Sequence, residues 1–209
     1  MVTEAAVGAR SVELGPRRGS TVEARSRRAG AALADAARER GLLDVAYGFV
    51  DSPFGPLLVA VTPRGVVRVS YPERDVDVEL EAMARRVSPR ILESASATDD
   101  VRRELDQYFA GRRRAFDLGV DLTLVQGFRR RILAATARIP FGSVRTYREV
   151  ASRAGNERAV RAAGNALGSN PIPIVIPCHR VVRTGGGLGG YTGGLDRKRT
   201  LLQLEGVAA

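Results

Sequence analysis

The stretch PIPIVIPCHRVV, residues 171–182, holds the only cysteine and the only histidine of a 209-residue chain as immediate neighbours, Cys178 and His179. Its prolines decide the local fold. Asn170-Pro171 ends any helix arriving from the N-terminal side, because a residue before proline is driven out of the α region, and Pro173 keeps the chain from resuming one. Ile174, Val175 and Ile176 form an apolar run that calls for burial. Pro177 then fixes the backbone just before Cys178, so a thiol stands rigidly at the end of a buried segment. Adjacency alone does not pair the two side chains. In an extended segment successive side chains point opposite ways, so a turn or a bridging water is required. A free thiol, with an ordinary pKa of about 8.5, needs a nearby base or positive charge to act as a nucleophile near neutral pH. His179 is such a base if a carboxylate polarises its far nitrogen. Few acids lie in this half of the chain, and Glu205, within DRKRTLLQLEG (196–206), is the candidate. The residues alone leave the bland readings open: an inert core cysteine, a hydrogen-bonded core histidine and a surface glutamate.

Upstream of this stretch, TYREVASRAG and NERAVRAAGNALGSN read as two short helices separated by Gly155-Asn156, the outline of a helix-turn-helix. In the second, Val160, Ala163 and Leu167 fit an inward face. Arg158, Arg161, Ala162 and Asn165 face elsewhere, giving a small, positive surface that a backbone can approach closely. LVQGFRRRILAATARIP before them places Phe128, Ile132, Leu133, Thr136 and Ile139 on one helical stripe and stops at Pro140.

The first half has a different grammar. LDVAYGFV, GPLLVAV and GVVRVSY are short β-branched runs separated by turn residues, which predicts a small antiparallel sheet. DVDVELEAMARRV and TDDVRRELDQYFAGRR follow at helical spacing, with Thr98 as the expected N-cap of the second and Gly111 as its stop. Residues 1–40 mix Arg, Ala, Gly and Ser with few large apolar groups and are expected to form a loosely ordered extension, with at most a short helix in AGAALADAARER. The expected division is therefore an extension (1–40), a small αβ domain (41–122) and a helical domain (123–209).

Charge follows a similar division. Residues 1–40 carry 8 Arg against 5 acids, residues 41–126 carry 11 against 14, and residues 127–209 carry 14 basic residues against 4 acids. A positive excess confined to the last part is what a polyanion-binding face produces, through counterion release from phosphates. Because 32 of the 33 basic residues are Arg, compositional bias is a competing account of the charge. A lone cysteine makes no intramolecular disulfide, and one Cys with one His argues against a structural zinc. The N-terminus lacks the apolar core of a signal peptide and no membrane-length apolar run occurs, so the chain reads as soluble and cytoplasmic.

IPFGSVRTYREVA, GNERAVRAAGNALGSNPIPIVIPCHRVV and LGGYTGGLDRKRTLLQLEG together strongly resemble the O6-alkylguanine-DNA alkyltransferase family. The close resemblance covers about residues 127–206, and a weaker one reaches back to about residue 44. It implies an α+β fold: a small ribonuclease-H-like αβ domain followed by a winged helix-turn-helix-like domain. It also implies direct-reversal repair of double-stranded DNA containing O6-alkylguanine, approached from the minor groove, with no cofactor; some members bind a structural zinc, but this sequence lacks the cysteines to do so, and no metal is expected.

The resemblance assigns roles residue by residue. Cys178 would accept the alkyl group, His179 would act as base through a water, Glu205 would orient His179, and Asn170 would brace the turn. Tyr147 would give a proton to guanine N3. Arg161 would fill the gap left by the extruded nucleotide, on a DNA-facing surface that includes Thr146, Ala159, Ala162 and Gly164. The Val181 and Cys178 carbonyls, Tyr191, Thr192 and Lys198 would form the pocket. Thr192 stands where many members have serine or alanine, and Leu133 where many have tryptophan. A noncatalytic lesion binder would lack the acceptor cysteine, and a Cys-His hydrolase would need an oxyanion hole and would turn over.

Overall fold

The computed structural model describes residues 19–71 and 73–208. Three strands form where the β-branched runs predict them: β1 (Val45–Val50), β2 (Leu57–Thr62) and β3 (Gly65–Ser70). They pair antiparallel, with Ala46 opposite Val61 and Leu58 opposite Ser70, and a bulge at Ala60/Val61. A fourth strand, β4 (Ile91–Glu93), adds parallel to β1 and gives the order β3-β2-β1-β4. The sheet is therefore mixed. Three residues are too few for an alternating pattern to announce β4.

Helix α1 (Gly19–Glu39) precedes the sheet and is longer than the short helix expected there. Ala34 is fully buried and Asp35 accepts a hydrogen bond from Ser96 Oγ at 2.5 Å, so tertiary contacts supply what composition alone does not. The expectation of loose order for residues 1–18 lies outside the described residues.

Helix α2 (Val76–Arg86) is capped by Asp75, whose side chain accepts from Asp77 N. Helix α3 (Ala95–Phe109) is capped by Ser94, one turn before the expected Thr98. Thr98 instead sits inside the first turn, fully buried, with its hydroxyl donating to the Ser94 carbonyl at 2.9 Å. Both residues carry a capping hydroxyl, and the one next to the strand end is used. Gly111, at φ +70°, terminates α3 in the left-handed conformation that favours glycine.

In the second half, α4 (Gly127–Ala137) buries Ile132, Leu133 and Thr136, and Ile139 is buried just beyond its end. The two-residue strand β5 (Arg145–Thr146) runs directly into α5 (Tyr147–Arg153), whose N-cap Thr146 forms a reciprocal capping box with Glu149. Helix α6 (Val160–Gly168) buries Ala163, Ala166 and Leu167. Val160, expected inward, is 36 % exposed because it opens the helix beyond the reach of the core. A 3₁₀ turn over Cys178–Arg180 leads into β6 (Val181–Val182), which pairs parallel to β5, and α7 (Leu195–Leu204) closes the chain.

The halves share one core. Leu57, Val59 and Val69 of the sheet and Leu105 and Tyr108 of α3 belong to the same buried cluster as Ile132, Ile172, Ile174 and Leu201. The amide of Val69 donates to the Pro171 carbonyl at 2.9 Å, so the outer edge of the sheet is stitched to the Pro-rich segment. No helix among the described residues is long and apolar enough to cross a membrane.

Candidate active site

Asn170 begins the site, directly after α6. Its side-chain amide donates to the Ile176 carbonyl at 2.9 Å and to Cys178 Sγ at 3.2 Å, while its carbonyl oxygen accepts from Ile172 N at 3.0 Å. One buried residue thus closes the turn at three points. Ile174 within it has φ +73°, a conformation costly for a β-branched side chain, by roughly 1–3 kcal/mol. Complete burial of that side chain and the Asn170 brace hold it there.

The 3₁₀ turn answers the adjacency problem. In a strand, Cys178 and His179 would point to opposite faces; in this turn both are buried in the same interior, at 4 % and 0 % exposure. Burial pushes the Cys178 thiol up to about 11, against the opposing effects of the Asn170 hydrogen bond and the Lys198 charge. The resting sulfur is therefore a thiol and needs a base.

His179 is the next residue of the same buried turn. Its Nε2 lies 2.8 Å from Glu205 Oε1, and its Nδ1 is buried without a protein partner among the described residues. A carboxylate at Nε2 fixes the proton on that nitrogen and leaves Nδ1 as the acceptor. Burial holds the imidazole pKa below its ordinary value, outweighing the opposite pull of Glu205. Glu205 itself is buried, yet hydrogen bonds from His179 and Arg180 overcome that cost and bring its carboxyl down to about 2. It remains ionised.

Glu205 also accepts from Arg180 Nε at 2.8 Å and Nη2 at 2.9 Å, from Tyr108 Oη at 2.7 Å and from Gly142 N at 3.3 Å. Arg180 Nη1 donates to the Ile139 carbonyl at 2.5 Å. Neither Arg180 nor Tyr108 is singled out by the sequence. Arg180 carries a signal, a charged residue inside a run that must be buried. Tyr108 looks like one more apolar position of α3, and nothing local announces a partner 97 residues away.

In front of the thiol is a cleft of about 280 Å³ walled by Tyr147, Gly164, Leu167, Cys178, Tyr191 and Thr192, among others. The β5–β6 pairing builds its mouth, because Tyr147 follows β5 directly while Cys178 precedes β6 by one short turn. Tyr147 Oη donates to the Gly190 carbonyl at 3.3 Å, and burial raises its pKa, so the phenol keeps its proton. Gly189, at φ +70°, passes so close that a Cβ there would lie 2.7 Å from Tyr147 Oη. Thr192 Oγ1 donates to the Gly168 carbonyl at 2.7 Å, tying this loop to the end of α6, and Tyr191 Oη meets Tyr71 Oη of the N-terminal half at 2.6 Å.

Lys198 and Val181 lie behind the cleft, away from its wall. Lys198 is fully buried and donates from Nζ to the carbonyls of Val181, Leu188 and Gly190, fastening the loop to β6. Burial brings its pKa down to about 8. The Val181 carbonyl keeps a second lone pair.

Outside the cleft, Arg161, Ala162 and Asn165 are exposed on α6, Arg158 is exposed in the turn just before it, and Ala159 is its half-buried N-cap. Gly164 is the point where this helix meets the cleft, and Thr146 caps the neighbouring helix. Among the described residues no group of three or more His, Cys, Asp or Glu is placed to hold a metal ion.

Comparison with known proteins agrees with this arrangement along most of the chain. Residues 127–207 match the DNA binding domain of 6-O-methylguanine DNA methyltransferase, and residues 45–122 match its ribonuclease-like domain. The chain belongs to this methyltransferase family. A methylated-DNA–protein-cysteine methyltransferase of Mycolicibacterium paratuberculosis is 42 % identical over 161 residues, covering 77 % of this chain and 92 % of the relative. One from Methanosarcina barkeri is 37 % identical over 164 residues, 76 % of this chain and 96 % of the relative. The crystal structure of the Mycobacterium tuberculosis O6-methylguanine methyltransferase superposes with a TM-score of 0.66 at 36 % identity, covering 79 % of this chain and 95 % of that one. The same organism's protein has also been solved in complex with DNA, with a TM-score of 0.63 and coverage of 77 % and 92 %. As a member of the family the chain is a methylated-DNA–protein-cysteine methyltransferase with an α+β fold, a ribonuclease-like half backing a DNA-binding half.

Proposed function

We propose that this protein moves an alkyl group from guanine O6 in double-stranded DNA to Cys178 Sγ, once per molecule. The observation that carries the reading is the polarity of the buried His179: Glu205 fixes its Nε2 proton and leaves Nδ1 without a protein partner among the described residues, in the same buried turn as a thiol that burial keeps protonated.

A guanine O6 substituent inside the stack is out of reach of a buried sulfur. The nucleotide must leave the duplex, at a cost of a few kcal/mol that damage reduces. Exposed Arg161 on α6 fills the space and hydrogen-bonds the orphaned cytosine. Small neighbours such as Ala159, Ala162 and Gly164 suit a minor groove about 6 Å wide. This docking is largely indifferent to sequence.

In the cleft, one water carries the Cys178 proton to His179 Nδ1. Sulfur attacks the alkyl carbon in line, the new S–C bond forms as the C–O6 bond breaks, and the bond pair passes into the purine. Tyr147, still protonated, supplies its hydroxyl proton to N3, so guanine departs neutral. Imidazolium and phenolate then reset by exchange with solvent. The thioether has no comparable leaving path, since sulfur bonded to carbon offers no proton for His179 to remove. The Val181 and Cys178 carbonyls would accept from the guanine amino group, and the Thr192 backbone with Tyr191 would complete the pocket that Lys198 fastens from behind.

Mass spectrometry tests this directly. With excess O6-methylguanine duplex, the peptide containing Cys178 should gain one methyl group per protein molecule and the reaction should stop. Continued product release, or an adduct on another residue, would reject the reading.

A further inference from the structure

The hydroxyl of Tyr108 lies in a place that packing does not explain. Its ring is set by aromatic neighbours, with Phe109, Phe116 and Phe141 centroids at 5.4, 5.3 and 6.3 Å. That box fixes the ring with or without the hydroxyl. Yet the hydroxyl donates to Glu205 Oε1 at 2.7 Å, the same oxygen that lies 2.8 Å from His179 Nε2. Tyr108 is 1 % exposed and belongs to α3 of the N-terminal half, whereas every other side chain on Glu205 comes from the C-terminal half. Resting on the relay proposed above, we infer that Tyr108 is a positioning residue for alkyl transfer: it restrains Glu205 Oε1 so that His179 stays neutral and presents Nδ1 to the thiol.

The physical argument concerns how much charge Oε1 can offer. A carboxylate oxygen that accepts a second, charge-assisted hydrogen bond has less density for the first. The Tyr108 donor therefore weakens the hold of Glu205 on an imidazolium and lowers the basicity of His179. Tyr108 cannot exchange this role for ionisation, because burial, with the neighbouring Glu205 charge, pushes its pKa far above the ordinary phenol value. The remaining groups facing His179 act in known directions. Glu205 raises its basicity, the Arg180 and Lys198 charges lower it, Tyr191 presents a perpendicular ring at 6.4 Å, and Cys178 is a neutral thiol at rest. Tyr108 and Arg180 Nη2, at 2.7 and 2.9 Å, both donate to the Oε1 that His179 shares, and Tyr108 is the neutral donor of the two, whose influence on His179 runs through that oxygen alone.

The chain's single histidine and single cysteine make the test clean, since ring-nitrogen NMR reports only His179 and thiol alkylation only Cys178. Tyr108→Phe should keep the fold while raising the His179 titration midpoint by about half to one pH unit, a fraction of one lost hydrogen bond to a charged group because the effect reaches His179 only through the shared oxygen. The acid limb of the alkyl-transfer profile should move up by the same amount. Transfer should then slow on the order of three- to tenfold on that limb and stay within about twofold of wild type on the alkaline plateau. A uniform loss at every pH, or an unshifted His179 midpoint with an unshifted limb, would overturn the inference. Failure of the wild-type protein to alkylate Cys178 would instead reject the relay itself, so the two failures are distinguishable.

Discussion

Arg180 and Glu205 meet through two hydrogen bonds, Nε to Oε2 at 2.8 Å and Nη2 to Oε1 at 2.9 Å, with both side chains buried. They are contributed by residues 25 apart, one from the 3₁₀ turn and one from the end of α7, so the pair ties the C-terminal helix to the reactive segment. A buried pair contributes little beyond its desolvation cost, but removing one member strands the other.

Glu205→Gln is therefore expected to destabilise the protein by about 3 kcal/mol, because Arg180 is left as an uncompensated buried charge. Its pH signature is also fixed. The Glu205 carboxyl is held down at about 2 in the folded protein, below the unfolded value, so its contribution is full above the ordinary carboxyl range and is lost as pH falls through about 2. The urea midpoint of the wild type should fall with acidification over that window more steeply than that of Glu205→Gln. Parallel curves would show that the pair carries no linked stability.

Asn170→Ala removes donors from Ile176 O and Cys178 Sγ and an acceptor from Ile172 N. The expected loss is about 1–3 kcal/mol, since buried groups are left unsatisfied. The thiol should also become harder to ionise, because the Asn170 hydrogen bond is the leading influence opposing burial at Cys178. Thiol alkylation as a function of pH measures this: the midpoint should rise above that of the wild type. An unchanged midpoint in a destabilised protein would confine Asn170 to the turn.

Legibility differed by the range of the interaction. The strands β1 to β3, the helix pair α5–α6 and the burial of Ile174, Val175 and Ile176 rest on local pattern, and all of them appear where that pattern places them. Cys178, His179 and Glu205 stand out together because so few alternatives exist in the second half of the chain, and the fold brings His179 and Glu205 into hydrogen-bonding distance. Tyr108 and Tyr71 were not legible, since their hydroxyl partners lie 97 and 120 residues away and no spacing rule connects them. The N-cap of α3 falls one turn before Thr98 for a different reason. Ser94 and Thr98 are both competent caps, and only the end of β4 selects between them.

Arg161→Ala separates nucleotide extrusion from phosphate contact. Arg161 is exposed on α6, so its loss should leave stability unchanged and slow transfer from duplex DNA, while transfer from free O6-alkylguanine base is unaffected. Because a side chain in the vacated stack neutralises no phosphate, the salt slope of DNA affinity should hardly move. An Arg that contacts one phosphate would instead reduce that slope by about 0.9. Equal slowing on duplex and free base would show that Arg161 is not the extruding residue.

Removal of residues 1–40 tests whether the N-terminal arm belongs to the catalytic unit. The deletion takes away α1, whose fully buried Ala34 and Asp35–Ser96 hydrogen bond are its clearest ties to the described fold. Little apolar area is uncovered, so the stability cost should be about 1–2 kcal/mol at ordinary burial coefficients. The segment carries only 8 Arg against 5 acids, and none of its described residues lines the cleft. Alkyl transfer to Cys178 should therefore persist, and DNA affinity should still fall steeply with salt, because the positive excess lies in residues 127–209. The measurement is the slope of log affinity against log salt for the full and shortened chains, with transfer followed in parallel. A nearly flat slope in the shortened protein, while its unfolding remains cooperative, would place part of the DNA-binding surface on the arm and move the functional boundary upstream of residue 41.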